Sequence, residues 1–297
     1  MRRFSVVMLM AVMAGMNAYA GQPEITDLGE SKYSISNGKG VTMTIDAGKG
    51  AKILSFKKGD SEIISQSPMR EAFGSTFWTS PQKEWNWPPV NEYDKAAYTV
   101  EQKDGKLIMK GQTSARYKYS IRKEFTVDKK GAFVVNYFIV NESDETRKVA
   151  PWEITRVTNT EEGTIFFDAS LESITPAELM PFQANLNAVW YKTDVKNGNR
   201  KINADGKGWL AYADGKGLIL VKKFNDIAAS EPAPDEAEIQ VYVNSGKTYI
   251  ELESQGAYTE LKPGKELSYH VRWNLVDQAS SELQSKKVMK QIKKLVK

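Results

Sequence analysis

Residues 119–156 read YSIRKEFTVDKKGAFVVNYFIVNESDETRKVAPWEITR. Two runs that meet this stretch, 117–127 and 132–140, alternate apolar and polar residues or are rich in β-branched and aromatic types, as strands covered on one face do. The same texture returns at 41–45, 217–221 and 266–275. Between such runs stand Gly-Lys-Gly, Lys-Gly-Asp, Asp-Gly-Lys, Asn-Gly-Asn and Pro-Gly, whose residues suit tight turns. Roughly fifteen short strands at close spacing predict an all-β sandwich or barrel. The βαβ rhythm of a Rossmann-type fold is missing.

Two segments depart from this texture. Residues 67–94 have little periodicity but carry Phe73, Phe77, Trp78, Trp85 and Trp87 with four prolines, and are expected to form a long ordered loop. Residues 280–297 predict a basic amphipathic C-terminal helix, with Leu283, Val288, Ile292 and Leu295 near one face. Such a helix caps a sandwich edge or stays solvated. No linker or internal repeat divides the chain, so one domain over 21–297 is expected.

Residues 1–20 read as a cleavable signal peptide. Arg2 and Arg3 form a positive start, a Met- and Val-rich stretch follows, and Ala18-Tyr19-Ala20 suits cleavage after Ala20. The apolar stretch is too short to span a bilayer, and no later run reaches the ~20 apolar residues of a membrane helix. Export to the periplasm or medium follows, with no membrane insertion of the mature chain. The 297 residues hold 41 Lys and Arg against 37 Asp and Glu. So slight and dispersed an excess is not the concentrated basic footprint of a nucleic-acid binder. Without cysteine there is neither a disulfide nor a thiol nucleophile.

His270 is the single histidine. A two-histidine metal site is therefore impossible, and a Ser-His-Asp triad would have to use that one ring. Its strand places His270 beside Ser268 and Arg272 on the polar face, where a solvated histidine is expected. Walker, nucleotide-fingerprint and nucleophile-elbow motifs are absent. No metal or cofactor is expected, although a Ca²⁺ site built from scattered carboxylates stays open. Carboxylates, arginines and aromatic rings remain for chemistry.

That inventory suits carbohydrate, whose C–H faces stack on indoles and whose hydroxyls bond carboxylates and guanidiniums. Among seven tryptophans, Trp152, Trp209 and Trp273 lie in strand-like runs and are expected in the core. Trp78, Trp85 and Trp87, three within ten residues, form either a self-packed loop or an exposed stacking platform.

The order of motifs resembles the galactose mutarotase-like, or aldose epimerase-like, proteins, and is closest to a secreted bacterial group of that superfamily. Val41-Thr42-Met43-Thr44-Ile45 followed by Gly50-Ala51-Lys52-Ile53-Leu54-Ser55-Phe56 is similar to their opening hairpin. Residues 119–156 resemble their central segment, and Leu252-Glu253-Ser254-Gln255 with Leu261-Lys262-Pro263-Gly264-Lys265 their closing stretch. The run from Phe73 to Gln82 adds to the likeness.

The resemblance implies a β-supersandwich of many antiparallel strands that binds a mono- or oligosaccharide, and an aldose 1-epimerase-like isomerase that interconverts anomers without a metal. Such chemistry needs a base at the anomeric hydroxyl and an acid at the ring oxygen. The resemblance assigns the base to Glu253 and puts Glu153 in the slot where the family carries its acid histidine. Arg70, Trp78, Trp85, Trp87 and Arg156 are candidate sugar contacts. Three readings follow: an epimerase using both glutamates, a binding protein that has lost catalysis, and a glycosidase or lyase accessory to polysaccharide breakdown. A structural ion pair between Glu153 and Arg156 is the plain alternative for those residues. Oligomeric state stays open.

Overall fold

The structure is a computed structural model describing residues 23–66, 72–196, 198–246 and 248–297. The expected signal peptide at 1–20 and the candidate contact Arg70 lie outside the described residues. The described chain forms two antiparallel sheets of eleven and ten strands with a short C-terminal helix, a β-sandwich.

The first sheet runs, in bonded order, through Glu24–Gly29, Lys32–Ser36, Val41–Asp46, Lys52–Lys58, Ser75–Ser80, Arg147–Thr158, Tyr249–Gln255, Ile239–Val243 and Arg200–Ala204. At the centre of the second lie Leu218–Lys223, Glu266–Asp277, Phe133–Asn141 and Tyr119–Val127. Phe133–Asn141 shows the expected alternation residue by residue, with every odd-numbered side chain buried. Those chains meet the first sheet in the interior. Tyr137 stacks on Phe77 with centroids 4.3 Å apart, and Phe133 meets Phe56 edge-on at 5.1 Å.

Residues 67–94 are not a loop throughout. Ser75–Ser80 is a strand in the middle of the first sheet, and all six of its residues are buried. A strand covered on both faces has no solvent side to demand polar residues, so its sequence carries no period-two signal. After it come a 3₁₀ turn at Gln82–Glu84 and one helical turn at Asn91–Asp94. Short strands that sequence reading leaves in loops, such as Ser61–Glu62 and Thr259–Leu261, bring the described total to 21.

The C-terminal helix spans Lys286–Leu295, shorter than the expected 280–297 because Ser285 is extended and caps it, its Oγ accepting from the amide of Val288 at 3.3 Å. Val288, Met289 and Ile292 are buried. No helix among the described residues is long and apolar enough to cross a membrane. His270 is exposed beside Asn136 on the neighbouring strand.

Candidate functional site

Register decides which side chains meet on the outer face of the first sheet. Residues directly opposite in an antiparallel pair point to the same side, and neighbours along a strand point to opposite sides. Trp78 lies opposite Trp152. Ile154 faces Glu253, which faces Gln240. One row along, Arg156, Glu251, Tyr242 and Lys201 stand in line across four strands. These rows floor a cleft of about 630 Å³ whose walls include Trp78, Trp87, Trp152, Arg156, Lys201 and Glu253.

Glu253 is 1% exposed. Its Oε2 accepts from the Trp152 indole at 2.8 Å and from Lys201 Nζ at 3.1 Å. Its Oε1 has no hydrogen-bond partner among the described residues. Burial pushes the carboxyl up to about 7; Lys201 opposes that rise and the nearby Glu251 adds to it. A buried carboxyl with one committed oxygen and one uncommitted oxygen, able to gain or lose a proton near neutrality, is equipped for general acid–base work.

The rest of the floor is held by paired charges. Arg156 Nη2 sits 2.7 Å from Glu251, Nη1 donates to the Phe73 carbonyl at 3.2 Å, and the guanidinium lies over the Trp78 and Tyr249 rings. Asp94 accepts from Trp78 Nε1 and Thr76 Oγ1, both at 2.9 Å, and pairs with Lys52 at 3.0 Å. Burial alone would raise the Asp94 carboxyl, but Lys52 and these donors hold it below the ordinary carboxylate range. Trp78 is thereby fixed at both its indole N–H and its ring.

The three clustered tryptophans divide in role. Trp85 is buried, packs edge-on against Trp78 at 5.5 Å and donates to the Thr79 carbonyl at 2.9 Å. It supports the loop and does not line the cleft. Trp87 is 65% exposed on the rim, its centroid 6.3 Å from that of Trp78. Trp152, Trp209 and Trp273 are buried, and Trp152 also walls the cleft.

Glu153 must be corrected. It faces the sandwich interior together with Phe77 and Ser254, its opposite neighbours, whereas Glu253 faces outward. There Glu153 is wholly buried and paired with Lys222 of the second sheet, with Ser75 Oγ at 2.9 Å and Thr155 Oγ1 at 2.7 Å. One residue of strand separates it from the outward Trp152 and Ile154, and that step is the physical reason. The two glutamates do not flank one hollow, and neither an epimerase nor a hydrolase can use them as a pair. Nor does Arg156 pair with Glu153, since it points to the outer face and meets Glu251.

Sequence reading missed Lys201, Tyr242 and Glu251. Glu251 was reachable, being two residues before Glu253 on the same strand face. Lys201 was not, since its place depends on the register of a separate strand. Among the described residues no three His, Cys, Asp or Glu side chains converge as metal ligands would.

No protein-family profile and no curated protein matches the sequence. Solved structures do match in fold. An Escherichia coli K12 protein provisionally described as an aldose 1-epimerase superposes over 80% of this chain and 97% of its own, with 11% identity and a TM-score of 0.57. A galactose mutarotase-like protein of Clostridium acetobutylicum covers 86% of this chain and 98% of its own at 11% identity and TM-score 0.55. Another from Lactobacillus casei covers 86% and 100% at 13% identity and TM-score 0.56. The fold is that of the galactose mutarotase-like proteins.

Proposed function

We propose that the cleft binds carbohydrate and that Glu253 serves as general base in the interconversion of sugar anomers. One observation carries the reading: a buried carboxyl with an uncommitted oxygen at the floor of an indole-walled cleft. The exposed Trp87 offers a face on which a pyranose can stack, and Glu253, Lys201 and Arg156 offer charge-assisted partners for its hydroxyls. The fold shared with mutarotase-like proteins is consistent with a sugar ligand but does not transmit activity.

In this reaction Glu253 takes the proton of the anomeric hydroxyl, the ring carbon–oxygen bond opens, the aldehyde rotates and the ring closes on its other face. Export through the segment at 1–20 is part of the reading and places the substrate outside the cytoplasm.

Polarimetry of freshly dissolved aldoses tests the reaction, and titration with a glycan panel tests binding. Glu253→Gln is expected to abolish enzymatic mutarotation while leaving sugar affinity within a few-fold. A catalytic rate unchanged in Glu253→Gln rules out the base assignment. Trp87→Ala should weaken binding by about tenfold, the worth of one stacking face, with thermal stability unaltered. A binding-only reading is favoured by the inward direction of Glu153, which leaves the family's acid position outside the cleft, and it predicts affinity with no turnover of any aldose.

A further inference from the structure

We propose that Lys201 is the general acid of the cleft, delivering to the sugar's ring oxygen the proton that the resemblance would have assigned to position 153. This rests on the anomer-interconverting reading above.

The substrate itself sets the constraint. Its anomeric hydroxyl oxygen and ring oxygen are bonded to the same carbon, so the acid and base of mutarotation must converge on one small volume of the site. Glu253 has such a neighbour in Lys201, whose Nζ lies 3.1 Å from Oε2. The two residues come from strands separated by Ile239–Val243, and both point outward into the same cleft. Lys201 lies 5.0 Å over the Trp152 ring, and its side chain is 33% exposed, so a ligand in the cleft can reach it.

The other proton-bearing groups of the floor are less suited. Arg156 is held by Glu251 at 2.7 Å, and a guanidinium does not release its proton at working pH. Tyr242 donates its hydroxyl to Asn199 at 2.8 Å, and burial pushes Tyr249 up to about 12. Asp94 is committed as an acceptor to Trp78, Thr76 and Lys52. The groups facing Lys201 are therefore Glu253, the Tyr242 opposite it, and the Glu251–Arg156 pair one place further along that row.

The step balances. The Glu253 carboxylate takes the proton from the anomeric hydroxyl, and the freed electron pair forms the carbonyl. The bond from C1 to the ring oxygen breaks, its pair moves to that oxygen, and Lys201 protonates it. After rotation about C1–C2 both transfers reverse, and neither residue is consumed.

The test compares Lys201→Ala, Lys201→Arg and Glu253→Gln by polarimetric mutarotation, sugar titration and pH–rate profile. Lys201→Ala is expected to weaken sugar affinity by about tenfold, the loss of one hydroxyl partner, and to lose ~100-fold or more in kcat, with added primary alkylammonium ions restoring rate. Lys201→Arg should also be slow, because it keeps the charge but cannot give up the proton. A fully active Lys201→Arg, an undiminished Lys201→Ala, or a slow Lys201→Ala that no amine rescues overturns the assignment. Loss of activity in Glu253→Gln with Lys201→Ala intact rejects Lys201 alone. A wild-type chain without mutarotase activity removes the underlying reading and this assignment with it.

Discussion

Burial at the foot of a cleft makes the Glu253 carboxylate costly, and the molecule keeps that cost where the proposed reaction needs it. Its folded-state value, about 7, lies above that of an unfolded glutamate. The stability tied to this group is therefore full below the unfolded value and is lost as pH rises through about 7. Glu253→Gln cannot ionise. It should be more stable than wild type at pH 8 by a few kcal/mol, because each tenfold difference in proton affinity between the folded and unfolded chain is worth about 1.4 kcal/mol, and the gap should close by about pH 4. Denaturant titration of both proteins at the two pH values checks this. For the wild type, kcat/KM should rise with pH on a limb centred near 7, since the base acts in its ionised form.

At the level of the element, Ser75–Ser80 is the piece on which the site depends. Its outward Trp78 walls the cleft while its inward Phe77 stacks in the core. The chain enters this strand through Gly74, whose φ of +65° is one that residues with a side chain rarely adopt. A Cβ there would stand 2.4 Å from the Ile53 carbonyl oxygen, which belongs to rigid backbone of the adjacent strand. Gly74→Ala is expected to destabilise by more than ~2 kcal/mol, measured by thermal melting. It should also loosen Arg156, whose guanidinium leans on the carbonyl of the neighbouring Phe73. A melting temperature within a degree of wild type would contradict this role for the turn. The strand itself was invisible to periodicity because both faces are covered. Phe133–Asn141, by contrast, was legible because its two faces pack unequally: one is fully buried, the other only half-covered.

At the scale of the whole molecule, the two sheets are joined by apolar interdigitation and, among the described residues, by a buried charge pair, Glu153 with Lys222, surrounded by the hydroxyls of Ser75 and Thr155. A buried pair contributes little net stability when intact but is expensive to halve, because the surviving charge is left unpaired. Glu153→Gln and Lys222→Met should each cost about 3–5 kcal/mol, and Glu153→Met/Lys222→Met much less than their sum. A double-mutant cycle in denaturant measures the coupling, and additive losses would show that the pair is not the link between the sheets. Mutarotation in a Glu153→Gln protein that still folds should be near normal, since that side chain is walled off from the cleft.

The all-β class, the turns and the C-terminal helix could be read from the chain because alternation, glycine placement and helical spacing are local consequences of which faces meet water. The place of Glu253 in the cleft was likewise reachable, through the likeness of its motif. What no local pattern contains is the register between strands distant in sequence, and register alone sent Glu153 inward to Lys222, set Lys201 beside Glu253 and gave Arg156 to Glu251. A strand reverses its facing at every residue, so a difference of one position exchanges the floor of a cleft for a core, and only the assembled sheets decide between them.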